Sequence, residues 1–93
     1  MQHSSISQIR DLVRSLNYVV SIHAAEELDD DNLTILDLET IILAGEITQR
    51  QRDRQTREVK CVVRGSTLDG AVAEAVVKIG HGGKLVFITA YVV

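Results

Sequence analysis

The first part of the chain, residues 5 to 17, carries apolar residues at helical spacing. They recur every three or four positions and so lie along one side of a helix. These positions are Ile6, Ile9, Val13 and Leu16. Ser5 and Gln8 have the form of a capping box, in which the two side chains satisfy free amides at a helix start. The pattern therefore predicts a helix that begins after Ser5 and ends near Asn17.

The middle of the chain alternates between short elements. Residues 18 to 22 are mostly β-branched, which favours a strand or an extended bridge, and residues 23 to 28 favour a short helix that the following acidic run breaks. Thr34 can cap the next helix together with Asp37, and Gly45 stands where a left-handed helix stop is common. The helix that Thr34 begins has an expected inward face of Leu38, Ile41 and Ile42.

The last third of the chain predicts three strands. Apolar and polar residues alternate over residues 59 to 64 and 73 to 79, whereas residues 85 to 91 are apolar on both sides and favour a central strand. Short glycine-containing connections indicate antiparallel hairpins. Residues 46 to 58 fit a helix as well as a strand. Helices followed by a meander predict an α+β fold, with the helices on one face of a curved sheet.

Composition adds limits to this picture. The 93 residues, 45% hydrophobic and 25% charged, predict one globular domain over residues 1 to 93. The longest nearly apolar stretch, residues 85 to 93, is far short of the roughly 20 residues that cross a bilayer. The chain start lacks a basic region followed by an apolar run, so we expect no secretory signal and a cytoplasmic location.

Cysteine and aromatic residues are scarce, which restricts the kinds of site that the chain can form. Cys61 is the single cysteine, which excludes an internal disulfide and a multi-cysteine metal cage, and its alternation with Val59 and Val63 predicts a buried side chain. Tyr18, Phe87 and Tyr91 are the only aromatic residues, too few for a platform on which single-stranded nucleic acid stacks.

Charge is unevenly distributed along the chain. Residues 1 to 49 hold two basic and nine acidic residues, a net charge of -7, whereas residues 50 to 64 hold six basic and two acidic residues, a net charge of +4. The second group could contact a phosphate backbone. Alternatively, both regions are solvated surface, or they pair with each other within or between copies. The candidate nucleic-acid-binding residues are Arg50, Arg52, Arg54, Arg57 and Lys60.

Several short motifs occur in a recognisable order. They are Ser21-Ile22-His23-Ala24, Gly45-Glu46-Ile47, Gly65, Asp69-Gly70 and Ile88-Thr89-Ala90-Tyr91. Together, over residues 18 to 91, they resemble the bacterial domain-of-unknown-function family 4258, whose members resemble the RelE/ParE and BrnT toxin folds. The resemblance implies that residues 46 to 52 are the first strand of a four-stranded antiparallel β-meander, curved and RelE-like, on which the N-terminal helices pack.

The resemblance also implies a place for a site. It lies around the serine-x-histidine-alanine turn and the threonine-x-tyrosine strand. Relatives often place arginines in the short helix after the histidine, whereas this chain has Glu27, Asp30 and Asp31 there. Acidic residues at these positions would weaken binding of a phosphate.

RNA cleavage without a metal is the reaction for which the chain carries candidate groups. It needs a base, an acid and a cation beside the phosphate, and His23, Tyr91 and Arg64 are the candidate catalytic residues, with His81 as a further proton shuttle. The competing interpretation is that His23 braces a helix start and that Tyr91 is a core residue with its hydroxyl at the rim. His23 and Glu27 stand one helical turn apart, but two ligands are too few for zinc. We expect no metal and no other cofactor.

Three functions are compatible with these features. The first is a protein-interaction module that keeps a toxin-like fold without catalysis and binds a protein partner or a second copy through a sheet edge or the arginine-rich segment. The second is a metal-independent endoribonuclease toxin that a partner protein neutralises. The third is an RNA-binding module without catalysis. We expect no membrane partner.

Overall fold

A computed structural model of the protein describes residues 5 to 93, which form three α-helices and five strands. In chain order the elements are α1 (Ile6–Arg14), β1 (Tyr18–Val20), α2 (Ile22–Asp30), α3 (Ile35–Ala44), β2 (Glu46–Arg52), β3 (Val59–Ser66), β4 (Val72–Ile79) and β5 (Leu85–Val92). A 3-10 turn, His81–Gly83, joins β4 to β5. The expectation about a secretory signal depends partly on residues 1 to 4, which lie outside the described residues.

The five strands form one mixed sheet in the order β1-β5-β4-β3-β2. The predicted α+β class is confirmed, and so is the strand over residues 46 to 52, but the predicted four antiparallel strands are only part of the sheet, which has five strands and is mixed. β2 to β5 do form an antiparallel meander, and β1 adds a fifth strand parallel to β5, with Tyr18 opposite Leu85 and Val20 opposite Phe87. β1 has only three residues and its partner lies more than 60 positions further along, so local periodicity does not reveal the pairing.

Two helix ends differ from the predicted ones. α1 ends at Arg14 rather than near Asn17, because Leu16 adopts a left-handed backbone with φ of 58°. α2 continues through Asp30, so part of the acidic run lies in its last turn, and the chain leaves the helix around Asn32, whose φ is 55°.

The start of α3 is fixed by the predicted capping box. Thr34 Oγ1 accepts a hydrogen bond from the Asp37 amide at 3.2 Å, and Asp37 Oδ2 accepts one from the Thr34 amide at 2.9 Å. Asp37 Oδ1 also accepts from the Leu68 amide at 2.9 Å, across the loop between β3 and β4. These bonds, that from Leu68 first, hold the pKa of the Asp37 carboxyl below its usual range. One carboxylate thus joins a helix start to a sheet loop.

Gly45 and Gly65 let the end of α3 lie directly on β3. Gly45 has a φ of -88° and a ψ of -172°, so the predicted left-handed stop is wrong. Glycine is required here by proximity, because a Cβ on Gly45 would collide with the carbonyl groups of Ile41 and Arg64. A Cβ on Gly65 would lie 2.7 Å from the Ile41 carbonyl oxygen and 3.0 Å from the Gly45 Cα. This contact determines where β2 begins.

The helices cover one face of the sheet and enclose the core there. Its fully buried residues from the strands are Cys61, Val63, Ala73, Ala75, Val77, Leu85, Phe87 and Ala90, and those from the helices include Ile9, Val13, Leu38, Ile41 and Ile42. Phe87 meets Tyr18 edge to face, with ring centroids 5.4 Å apart. Cys61 is buried as predicted, and burial raises the pKa of its thiol. β5, paired on both sides by β1 and β4, is an interior strand.

Candidate functional site

The other face of the sheet has no helix packed on it within residues 5 to 93, and we call it the open face. It consists of the side chains of β2 to β5 that alternate with the core residues. The strand register arranges most of them in rows that run across the strands. One row is Glu46, Arg64, Glu74 and Tyr91, the next is Gln49, Val62, Val76 and Thr89, and the pairs Gln51–Lys60 and Lys78–Val86 follow.

Three residues of the first row, Tyr91, Glu74 and Arg64, are linked by polar contacts. The Tyr91 hydroxyl donates a hydrogen bond to Glu74 Oε1 at 2.8 Å, and Arg64 Nη1 lies 4.0 Å from Glu74 Oε2. The hydrogen bond to Glu74, followed by burial and by the charges of Glu74 and Glu27, raises the pKa of the Tyr91 phenol. The phenol therefore stays protonated at neutral pH, where it can donate a hydrogen bond but is a poor base.

Two carboxylates, that of Glu27 in α2 and that of Asp31 directly after it, bind the edge of β5 beyond its pairing with β1. Glu27 Oε1 accepts hydrogen bonds from the Thr89 hydroxyl and, at 3.3 Å, from the Ala90 amide, while Asp31 Oδ2 accepts from the Val92 amide at 2.9 Å. These carboxylates take the acceptor positions that a further strand would occupy. Both thus have a structural role, since they satisfy the amides of a strand edge.

The three predicted catalytic residues lie around the same part of the open face. His23 Nε2 is 3.3 Å from Glu27 Oε1, and Glu74 lies between Tyr91 and Arg64. A carboxylate thus stands next to each predicted group. His23 is 68% exposed and contacts Glu27. Ser21 accepts from the Ala24 amide and donates to the Ile88 carbonyl, both at 3.0 Å, which joins the two motifs that the family resemblance marked.

Glu74 is the residue of this site that sequence reasoning missed. In the sequence it is one polar residue between Ala73 and Ala75, which indicates only that it faces away from the core. Its neighbours on the open face come from β3 and β5, and they depend on the register of both hairpins. The one usable signal was its alternation within a strand. The remaining proton-shuttle candidate, His81, is exposed in the turn before β5.

The five predicted nucleic-acid-binding residues do not form one surface. Arg50 and Arg52 pair with Cys61 and Val59, so their side chains lie on the helix-covered side of the sheet. Arg54 and Arg57 are exposed in the turn between β2 and β3, and Lys60 lies on the open face. All five are nevertheless at the β2 end of the sheet, opposite to the acidic helix α2 beside β5. The charge separation in the sequence is therefore also a separation in space.

An open depression of about 430 Å³ lies where α3 meets β2 and β3. Its lining consists of Arg10, Ala44, Gly45, Glu46, Arg64, Gly65 and Ser66. Arg10 donates to the carbonyl groups of Ile42 at 3.2 Å and of Gly45 at 2.7 Å, so it caps the end of α3. With Glu46 beside Arg64, the depression has no strong charge of one sign.

Residues 5 to 93 contain no group of three or more histidine, cysteine or acidic side chains arranged to hold a metal ion. None of their helices is long and apolar enough to span a membrane.

The chain belongs to the family described as "Domain of unknown function (DUF4258)", which matches residues 20 to 92. No curated protein and no solved structure matches the chain. The family match runs from the end of β1 through β5, so it includes the whole open face together with His23 and Glu27, and α1 lies before it.

Proposed function

We propose that this protein is an interaction module that binds another protein through the open face and catalyses no reaction. The observation that carries the proposal is the composition of this face. Val62, Val76 and Val86 give it an aliphatic centre, with Val62 only 8% exposed and the other two half-buried. Charged side chains surround this centre. An apolar centre with a polar rim is the usual anatomy of a protein interface.

The arrangement of the charged groups favours binding over RNA cleavage. Cleavage requires a cation free to hold the phosphate and a base free to accept a proton. Arg64 lies beside Glu74, the Tyr91 phenol is bound to the same carboxylate, and His23 lies beside Glu27. Two carboxylates at this position would repel a phosphate. The expected cytoplasmic location and the likeness to toxin folds fit a module that kept such a fold for binding.

Site-specific photo-cross-linking in the producing cells tests the proposal. A cross-linking residue at Val76, in the centre of the open face, should give a protein adduct that mass spectrometry identifies. The same residue at Leu36, an exposed position of α3 on the helix side, serves as the matched control. The protein identified in the adduct, once purified, should then bind the wild-type chain. It should not bind the Val76→Glu variant. An equal adduct yield at both positions would contradict the proposal.

Two other outcomes would favour the alternative functions. An adduct with RNA at Val76 would indicate an RNA-binding module. If expression slows growth, and His23→Ala, Tyr91→Phe or Arg64→Ala relieves this effect while the fold persists, the endoribonuclease is the better description.

A further inference from the structure

We propose that the partner of the open face is a second copy of this chain, packed face to face around a two-fold axis that runs parallel to the strands. This inference rests on the proposed function, because it names the partner of the same surface.

The register of the sheet determines which residues such an axis brings together. β2 to β5 are the four long strands, and the midline of this group lies between β3 and β4. A two-fold axis above this midline places β3 of each copy over β4 of the other and β5 over β2. Face-packed sheets lie about 10 Å apart with their strands rotated by about 30°. This rotation moves β3 and β4 least, because they flank the axis.

The first consequence is a pair of ionic contacts across the axis. Arg64 and Glu74 stand opposite each other in the register, so Arg64 of each copy lies over the partner's Glu74. Within one copy the closest approach of these groups is 4.0 Å, and Arg64 remains 49% exposed. The guanidinium can therefore bind a second carboxylate without leaving the first. The two-fold axis produces this contact twice.

The second consequence is a match of the apolar residues. Val62 stands opposite Val76 in the register, so Val62 of each copy lies over the partner's Val76. The axis also produces two pairs of like charges, because Lys60 of each copy comes to lie over the partner's Lys78. Lys78 Nζ is held by Glu58 Oε2 at 3.0 Å, which offsets its charge.

Charge balance distinguishes this face from the surface of α2. Arg64, Lys60 and Lys78 are matched by Glu46, Glu74 and Glu58, three cations against three anions. By contrast, α2 and the residue after it hold five acidic residues and no lysine or arginine. A second copy would be repelled if that surface met its own equivalent. The open face can meet itself without net repulsion.

The area of the open face determines how tightly two copies are expected to bind. Four strands by five residues cover about 300 Å² of flat sheet, from a strand spacing of about 4.8 Å and a rise of about 3.4 Å per residue. A stable interface buries roughly 800 Å² of accessible surface per partner. The dimer should therefore be weak and should dissociate on dilution.

Sedimentation velocity with a charge exchange between two variants tests the inference. Wild-type protein should change from monomer to dimer between about 5 and 500 µM, a range that brackets weak dissociation constants. Arg64→Glu alone and Glu74→Arg alone should each weaken self-association at least about tenfold, since both place like charges across the axis. An equimolar mixture of the two variants should dimerise again, because both pairs between positions 64 and 74 across the axis are then opposite in sign. A loss caused by structural damage would not be restored by mixing.

The control is the exposed ion pair of α1, which lies away from the open face. Arg14 and Asp11 are 3.2 Å apart, and Arg14→Glu should leave the dimer unchanged. If either single variant is unfolded by circular dichroism, the chain carrying both Arg64→Glu and Glu74→Arg, which keeps its internal pair, should dimerise like the wild type.

Three results would overturn the inference. They are a monomer at every concentration, a dimer that the single variants leave intact, and a mixture that stays monomeric. If the protein is monomeric but Val76 cross-links to a different protein, the second copy is excluded as the partner and the proposed function stands. If neither a dimer nor an adduct at Val76 is found, both proposals fail.

Discussion

The two faces of the sheet are built from alternate residues of the same strands, yet they are held together by different interactions. Phe87 and its neighbour Val86 illustrate this. Phe87 is fully buried under the helices, whereas Val86 is half-buried on the open face. On the covered face stability comes from close packing of apolar side chains, and on the open face charged and hydroxyl groups contact one another near the solvent. The first face therefore maintains the fold, and the second is the one through which we propose that the protein binds its partner.

The largest difference between the faces should appear when neighbouring residues of β5 are truncated. Phe87→Ala should lower the free energy of unfolding by about 3 to 5 kcal/mol, because it leaves a cavity in the core. Val86→Ala is the matched control on the open face and should cost less than about 1.5 kcal/mol, since that side chain is only partly buried. Urea denaturation measures both. Equal losses of unfolding free energy in the two variants would contradict the proposed difference between the faces.

Asp37 should have the next largest effect, because it joins α3 to a loop of the sheet on the covered side. Asp37→Asn should cost about 1 to 3 kcal/mol at neutral pH, as an amide cannot accept all the hydrogen bonds that the carboxylate accepts. The folded-state pKa of Asp37 lies below the unfolded value, so its contribution is complete above about pH 4 and is lost as the pH falls through the folded-state pKa.

Thermal unfolding of wild type and variant between neutral and acidic pH measures this contribution. The gap in stability should narrow as the pH falls below about 4. The same substitution at Asp30, an exposed residue of α2, is the control and should leave the stability nearly unchanged at neutral pH. A gap that stays constant over the whole range would show that the charge of Asp37 is unimportant.

The two tyrosines allow a spectroscopic comparison of the faces. The Tyr18 hydroxyl donates to Glu39 Oε2 at 2.5 Å, and burial followed by this carboxylate raises the pKa of Tyr18 to about 12. In ultraviolet titration the Tyr91→Phe variant should therefore ionise near pH 12. The Tyr18→Phe variant reports Tyr91, whose pKa should lie above 10.0.

The sign of the associated stability change follows from the raised pKa of Tyr18. Its contribution is complete below the unfolded-state pKa, near 10.0, and is lost as the pH rises towards 12. Wild type should lose more stability over this interval than Tyr18→Phe does, as measured by urea denaturation at both pH values. Ionisation of Tyr18 near pH 10 in a folded protein would refute the buried hydrogen bond.

The smallest effect on stability should come from the ion pair of the open face. Arg64→Gln should change the free energy of unfolding of the monomer by less than about 1 kcal/mol, because the pair is partly exposed and its closest contact is 4.0 Å. Arg14→Gln on α1 should behave similarly, and chemical denaturation at low protein concentration compares the two. A loss as large as that of Phe87→Ala would place Arg64 among the residues that hold the fold.

Local patterns predicted the elements whose determinants lie within a few residues of one another. The Thr34–Asp37 capping box and the alternation around Cys61 are examples, and both are present. The apolar stripe of α1 is present at Ile6, Ile9 and Val13, whereas Leu16 lies beyond the helix and is 72% exposed. The strand at residues 46 to 52 was ambiguous by periodicity, because glutamine and arginine fit helices as well as edge strands. The family resemblance gave the correct answer there.

The errors concern features that depend on distant parts of the chain. β1 joins a strand more than 60 residues away, Gly45 is required by the approach of β3 rather than by a left-handed turn, and Glu74 meets Arg64 and Tyr91 through the register of two hairpins. The candidate site was therefore predicted in part. His23, Arg64 and Tyr91 were named from the sequence, as was Glu27 one helical turn after His23, but Glu74 between Arg64 and Tyr91 was not.

The amino-acid order thus determined the fold class, most elements and the separation of acidic from basic residues, because each depends on local periodicity or on counting. Three features arise instead from the long-range register. They are the pairing of the strands, the hydrogen bonds of Glu27 and Asp31 to the edge of β5, and the balanced charges of the open face. A shift of one residue in a strand would exchange its two faces and would bury Glu74 in the core. The core packing of Phe87 and its neighbours excludes that shift, and it thereby positions the site on the opposite side of the sheet.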